Sequence, residues 1–582
     1  MRPWFVVLAP SLCALCTACG GGESGEPADK ATGQAVAVQM HLHGPISEGD
    51  TTYAFQHSEA VRHGVGVLWW TDHDHMYDRS DWLRSPTWMS GEPLSTAAPG
   101  GEGEASWWVL SAHGVGVSAE VVTAAGSDPV ALAVTADSSA QGAAPAALGL
   151  AGCSGADGWA RATWMARADR GYNLLARPLL GGLVVRLALR PDISWESGVD
   201  RVRVRLPLSV VDVGRQRVVW LAESDDTWSM APGETRIDID LEPDTWTTVE
   251  VDLSAFAESE LPEALDLALQ GLELHVSPGK SGDATVQLAQ VTIEESVCCE
   301  ELIGKQRTLL DALSDDRVLH LAGLELSYDA ARHLTSFGSM PFLDYELFDL
   351  DHPKDIVDFA HEHGAKVAMT HVFGSGADEI AAFMDADERV SQICEELIES
   401  GVYGADFIEV GYLQRTLALD SHLAVWDCVL GAGFTPTGIG TSDNHLTRPW
   451  EHQVNPFVTW VMAEAEEGAI LEALGARRAF FGDPIRVEAP WFDLHVDGGG
   501  AMGDVLDVEG PVRIEAEISG VDAGYRLHWV VDGERVATDQ PSIEVTPGAW
   551  TYVRAEVYSP AGRGLLFSNP VFLRDSGAKA PG

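Results

Sequence analysis

The sequence predicts a mixed α/β protein in which a parallel sheet or barrel is interrupted by one β-sandwich and followed by another. Three observations predict this class. Short apolar runs alternate with amphipathic helical stretches over about 35–78 and again over about 298–485. The intervening 79–297 instead alternates polar and apolar residue by residue, with turn pairs such as Pro232-Gly233 and Pro278-Gly279 between the runs. The tail, about 486–576, is all-β and carries the hairpin signal Asp532-Gly533; its length suits an immunoglobulin-like sandwich. A chain of 582 residues is also too long for one core, and at roughly 100–200 residues per domain three or four are expected.

In chain order, Arg2 precedes an apolar run over 4–18, then Cys19 and Gly20-Gly21-Gly22, the pattern of an export signal over 1–19. Thr17-Ala18-Cys19 resembles a bacterial lipobox, which makes Cys19 a lipidation site and 20–34 a flexible tether; Cys16 stands where that motif prefers Leu, and Pro10 interrupts the apolar core. The expected location is the cell envelope, with membrane contact only through the lipid anchor. Five cysteines remain beyond this segment: Cys153, Cys298, Cys299, Cys394 and Cys428. Their odd number and scattered positions give no disulfide framework, and no zinc-type CxxC pair occurs among them.

Within the α/β portion, 35–40, 65–70, 318–324, 366–369 and 407–410 read as buried strands, and 353–363 and 388–400 as helices. The final 577–582 is a short tail. Against 37 basic residues stand 88 acidic ones, a formal charge of −51. Such a surface repels polyanions and anionic lipid, which excludes ordinary nucleic-acid binding and leaves a solvated acidic exterior as the simple reading.

The chemistry lies at strand ends. Three HxH pairs occur, His41/His43, His73/His75 and His361/His363; the last sits at a helix end and reads as a solvated terminal turn. The others differ in position. His41 and His43 close the first strand, Asp72 and His73 follow the second, Glu325 ends 318–324, His371 follows 366–369, and Asp443 and His445 follow 434–440. In α/β barrels those ends converge on one rim. Imidazoles with carboxylates and without thiolates suit Zn²⁺, Mn²⁺ or Fe²⁺.

These residues resemble the polymerase-and-histidinol-phosphatase (PHP) family. His41-Leu-His43-Gly-Pro-Ile-Ser-Glu48-Gly49 is similar to its first motif and Thr71-Asp72-His73 to its second. Glu325 followed by His333-Leu334, the run ending Met369-Thr-His371, and Ser442-Asp443-Asn444-His445 resemble the rest, in family order over about 230 residues. The C-terminal appendage, with Ser568-Asn569-Pro570, resembles the exported carbaryl-hydrolase-like branch.

The resemblance implies a distorted (βα)7 PHP barrel holding two or three divalent transition metals (Zn, Mn or Fe). One metal would take His41, His43, Glu325 and Asp443. A second would share Glu325 with His333 and His371, and a third would use Glu48, His73 and His445. Glu48 stands where the family has Asp, Gly44 where it has Ser, and Val372 where it has Pro. Glu325 and Asp443 would serve catalysis, with Asp72 orienting an imidazole. A water bridging two metals would have its pKa lowered toward neutrality and become the nucleophile. Arg415 and Arg448 are candidate substrate clamps.

The implied activity is that of a metal-dependent hydrolase acting on a small or phosphorylated substrate, a phosphoesterase. The same site could instead open carboxyl or carbamate esters. A third alternative is a non-catalytic surface protein that binds glycan through its sandwiches. The insertion leaves the barrel at the catalytic rim and should overhang the pocket. It resembles galactose-binding-like sandwiches without a sugar-binding motif, and Trp107, Trp108 and Trp246 read as core or sugar-stacking residues.

Overall fold

A computed structural model of the chain describes residues 35–576, apart from 48–50, 75–76, 78–86, 90–105, 114–116, 124–129, 138–159, 168–178, 193–200, 210–216, 227, 261–267, 270–271, 278–282, 329–332, 344–352, 375–385, 413–418 and 447. Cys19, Glu48, His75, Cys153 and Arg415 lie outside the described residues.

Nine strands of the α/β portion belong to one sheet: β1 (Val36–Leu42), β2 (Val67–Trp70), β3 (Leu319–Leu326), β4 (Leu334–Phe337), β5 (Lys366–Met369), β6 (Phe407–Gly411), β7 (Thr437–Gly440), β8 (Val458–Val461) and β9 (Ala479–Gly482). Their spatial order is β7-β6-β5-β4-β3-β2-β1-β8-β9. Pairs β1–β2, β2–β3, β5–β6 and β6–β7 are parallel, as alternating strand and helix require. β4 runs antiparallel to both neighbours, a reversal the sequence reading does not contain. It follows β3 through a short connection, too short for a parallel crossover.

The helices are α1 (Tyr53–His63), α2 (Cys299–Leu313), α3 (Pro353–Glu362), α4 (Ala386–Glu399), α5 (Leu419–Gly431) and α6 (Glu467–Gly475). α1 begins where the Thr52 hydroxyl accepts the Phe55 N–H at 2.9 Å, and ends where Gly64 takes a left-handed conformation at φ 67°.

The ladder does not close into a barrel among the described residues. Between β1 and β7 lies β8, antiparallel to β1. Thr459 of β8 completes the join with its side chain, donating to Gly440 O and accepting from Gly440 N, each at 2.9 Å. A Cβ at Gly440 would sit 2.8 Å from Val458 O, so only glycine admits so close an approach. At the site end the two strands do meet. Asp443 N–H donates to His41 O and His43 N–H to Asn444 O, both at 3.0 Å.

The insertion forms two mainly antiparallel sheets of eight and five strands, the layers of a sandwich. In Arg201–Ser209, Val202, Val204, Leu206 and Leu208 are buried while the alternate arginines are partly exposed. The chain leaves after β2 and returns at α2 beside its exit: Cys299 N–H donates to Tyr77 O at 2.9 Å.

The C-terminal portion also has two layers, but it is not a separate sandwich. The strands Gly564–Ser568, Thr551–Tyr558, Arg526–Val531 and Glu534–Thr538 extend the large sheet outward from β9. Trp491–Val496, Val512–Ser519 and Ser542–Val545 form the facing layer. One apolar cluster joins Leu42, Trp70, Val458 and Phe480 to Phe492, Ile514, Trp529 and Val553. The buried Asn569 reaches back to the α/β sheet: its amide nitrogen donates to Gly438 O (2.9 Å) and Ala479 O (2.8 Å), and its oxygen accepts Gly438 N–H (2.8 Å). Buried Arg554 forks onto Asp427 of α5 at 2.8 and 2.6 Å.

The cysteines do contribute a disulfide, Cys394–Cys428, which joins α4 to α5. Scattered spacing concealed this, because the two sulfurs meet only once the helices lie side by side.

Candidate metal centre

Glu325, near the end of β3 and 1 % exposed, is the hub of the site. Its Oε1 faces His333 Nδ1 at 2.6 Å and His371 Nε2 at 3.0 Å. Its Oε2 faces His43 Nε2 at 3.0 Å, His73 Nδ1 at 3.2 Å and His41 Nε2 at 3.4 Å. Asp443 Oδ1 closes one side, 3.4 Å from His43, 3.5 Å from His445 Nδ1 and 3.6 Å from His41. The His445 ring stacks on His43 with centroids 3.9 Å apart.

Topology explains the convergence. Strands β1, β2, β3, β5 and β7 are aligned through parallel pairs or the doubly reversed β4, so their C-terminal ends share one rim. Because β4 is reversed, its N-terminal end carries His333 to the same rim. His371 and Asp443 adopt positive φ, 26° and 50°. Such backbone is unfavourable for non-glycine residues. At Asp443 the bond to His41 O holds it, and at His371 a 2.6 Å bond from its N–H to Glu409 Oε2.

Sequence reasoning missed Glu409. It sits in β6, 1 % exposed, with Oε1 2.7 Å from His41 Nδ1. A carboxylate there accepts a hydrogen bond from Nδ1–H, keeps the proton on that nitrogen and aims the Nε2 lone pair at the hub. The available signal was a lone carboxylate inside the apolar run Phe407-Ile-Glu-Val410. Tyr412 was also missed; its hydroxyl donates to Asp443 Oδ2 at 2.6 Å.

Asp72 acts through an intermediary. Its Oδ1 accepts from Gly44 N (2.7 Å), Ser47 N (3.2 Å) and Ser47 Oγ (2.6 Å), and Oδ2 from Gln306 Nε2 (2.8 Å). Ser47 Oγ in turn lies 3.2 Å from His43 Nδ1. Asp72 therefore fixes the 44–47 turn, and Ser47 meets the imidazole. Arg448 is exposed on the segment after Asp443. His361 and His363 are away from the hub, bonded to Asp406 Oδ2 (2.7 Å) and Phe359 O (2.8 Å) at the end of α3. Trp246 is half-buried, and the side chains of Trp107 and Trp108 lie outside the described set.

The electrostatics call for cations. Burial alone would raise the Glu325 pKa, but His73, His333 and His41 outweigh it and hold the carboxyl well below its usual range. Asp443 behaves alike, with His41 and His445 overcoming burial. Burial opposes charge on His41, yet Glu409, Glu325 and Asp443 hold its pKa well above the ordinary imidazole value. Ionised carboxylates that hold positive charge on a buried imidazole so firmly would favour a dication in its place. Glu325 Oε2 is buried and accepts no hydrogen bond, although three imidazoles face it. The sets His41/His43/Glu325, His73/Glu325/His333 and His43/His73/His445 each bring three donor atoms within 4.8 Å of one another. The residues present thus fit more than one divalent transition ion.

No family model and no curated protein matches the chain. Among solved structures, it is similar to a two-domain protein from Bacteroides vulgatus containing a predicted PHP-like metal-dependent phosphoesterase, at 20% identity and TM-score 0.24, over 47% of this chain and 80% of that one. A structure of carbohydrate-binding modules of the β-sandwich superfamily matches at 10% identity and TM-score 0.19, over 35% of this chain and 63% of that one. A β-1,2-glucanase from Parabacteroides distasonis matches at 9% identity and TM-score 0.18, over 86% of this chain and 39% of that one. The order of strands and helices defines a mixed α/β protein, and its side-chain cluster a candidate metal centre.

Proposed function

We propose that the protein is an exported, lipid-anchored metal-dependent hydrolase of the PHP type, acting as a phosphoesterase. The carrying observation is the Glu325 carboxylate, with His333 and His371 on one oxygen and His41, His43 and His73 on the other. A carboxylate so flanked on both oxygens would suit sharing between two cations. One ion would be held by His41, His43, Glu325 and Asp443, and another by Glu325, His333 and His371. His73, His445 and Glu48 would complete a third. β1 to β7 would then form a distorted seven-stranded barrel with β8 wedged at its seam.

Bound there, divalent ions supply Lewis acidity toward a phosphoryl oxygen and make water nucleophilic near neutral pH. The chain's own groups do the positioning. Glu409 holds the proton on His41 Nδ1, Tyr412 fixes Asp443, and Ser47 on Asp72 fixes His43. Arg415 and Arg448 are the proposed substrate clamps, and the insertion restricts access from the rim where it is rooted. Residues 1–19 would be the signal, with Cys19 lipidated, and 20–34 the tether. The proposed units are 35–78 and 298–485 for the barrel, 79–297 for the insertion and 486–576 for the appendage. The Cys394–Cys428 bond supports an oxidising compartment.

Elemental analysis of residues 35–582 together with turnover of p-nitrophenyl phosphate, a phosphodiester analogue and p-nitrophenyl acetate tests the proposal. The wild type should carry two or three transition-metal equivalents at this centre and cleave a phosphoester in a chelator-sensitive way. Glu325→Ala should lose metal and about 10³-fold in activity, roughly 4 kcal/mol of transition-state stabilisation. Chelator-sensitive turnover of the acetate alone would assign carbonyl chemistry instead. A full metal complement in Glu325→Ala would refute the centre.

A further inference from the structure

A second cluster, independent of the hub, lies where α1 meets the segment following Asp443 and His445. Glu59 and His63 stand four residues apart on α1, and Glu451 comes from the short 3-10 helix Trp450–His452. The Nε2 of His63 is 3.9 Å from Glu59 Oε2 and 3.7 Å from Glu451 Oε2. The His63 side chain is 9 % exposed and its Nε2 is buried, yet that nitrogen makes no hydrogen bond. One donor atom from each of the three residues lies within 4.8 Å of the others.

The surroundings hold these donors in place. Arg62 takes the other oxygen of both carboxylates, Glu59 Oε1 at 3.3 Å and Glu451 Oε1. Each carboxylate therefore presents Oε2 to His63 while its Oε1 is held by the guanidinium. Glu59 Oε2 also accepts the Trp450 N–H at 2.8 Å. The Trp450 indole stacks on His63 with centroids 5.6 Å apart and planes 8° apart, which fixes the imidazole plane. Two carboxylates at −2 are only half offset by Arg62. A tetrahedral ion with bonds of about 2.0–2.1 Å needs donors about 3.4 Å apart. The two imidazole–carboxylate gaps of 3.7 and 3.9 Å need to shorten by about half an ångström or less, and all three donor atoms already lie within 4.8 Å of one another.

We propose that Glu59, His63 and Glu451 bind one divalent transition ion of the zinc class, a structural site that clips α1 to the 446–452 segment. Two oxygens and one imidazole suit Zn²⁺, and the remaining position would be left to water. The segment so fixed adjoins Asp443 and His445, and α1 already touches it through Gln56, whose Oε1 accepts the Trp450 indole N–H at 2.7 Å.

Zinc and cobalt loading of the full chain tests this. The wild type should retain one equivalent more than His63→Ala, and also more than Glu451→Gln, an isosteric change at a partly exposed side chain that guards against misfolding. Glu325→Ala should keep this equivalent while losing those of the hub. Zn²⁺ should raise the Tm of Glu325→Ala but not that of the Glu325→Ala/His63→Ala double variant. Unchanged stoichiometry in both His63→Ala and Glu451→Gln would overturn the proposal and leave a plain ion-pair cluster with Arg62. A metal-free Glu325→Ala would likewise overturn it while sparing the hub. If Glu325→Ala lost no metal, the hub reading would fail and His63→Ala alone would decide this site.

Discussion

Glu409 concentrates the residue-scale consequences. It touches His41 through one oxygen and the His371 backbone through the other, so one side chain sets both an imidazole tautomer and an unfavourable φ. Glu409→Gln should weaken metal binding about 10–100-fold, with smaller loss of fold stability, as read by chelator competition beside thermal melting. The ligands themselves were legible because His, Asp and Glu at strand ends stand out against apolar runs. Glu409 was not, because it lies inside a strand, where a lone carboxylate does not break the run. His320 offers a test in pH. Its Nδ1 accepts the Trp70 indole N–H at 3.0 Å, so its proton sits on Nε2, 2.9 Å from His57 Nδ1. Burial first, then His57, push its pKa down to about 3. The folded value lies below the unfolded one, so the stabilisation is complete above about pH 6.5 and is lost as pH falls toward 3. From pH 7 to pH 5 this costs about 2 kcal/mol, and the accompanying fall in Tm should be smaller in His320→Gln.

At the scale of elements, the α/β alternation could be read because both faces of these strands are buried and their runs are nearly continuous. The reversal of β4 could not. Four residues, Leu334-Thr-Ser-Phe337, carry no direction, and only pairing with β3 and β5 sets it. The pairing of Cys394 with Cys428 was equally hidden, being a product of helix packing. That bond closes a 34-residue separation around β6, which bears Glu409. Replacing both cysteines by Ser should lower stability by about 3–4 kcal/mol in denaturant titration, with the hub's metal content retained in the folded fraction.

At the scale of the whole molecule, the appendage shares its sheet and its apolar cluster with the α/β portion it follows. Its strand alternation was legible, but a separate sandwich was the natural reading because sheet continuity across β9 leaves no mark on composition. A chain ending at 485 would expose the edge of β9, unsatisfy Gly438 and strip the apolar layer from Trp70 and Phe480. It should be insoluble. Asn569→Ala in the full chain should cost about 1–3 kcal/mol in Tm-derived stability, since the buried Gly438 groups would lose their partner.

The position of Asn569 also governs timing. The first strand carries His41 and His43, while the side chain that completes the far seam emerges from the ribosome only at residue 569. The cage joins side chains from His41 to His445, and the sheet beneath it is pinned by a residue later still, a high contact order that slows folding. Synthesis of the α/β portion alone therefore leaves the Gly438 and Ala479 groups without this partner until residue 569 has been made.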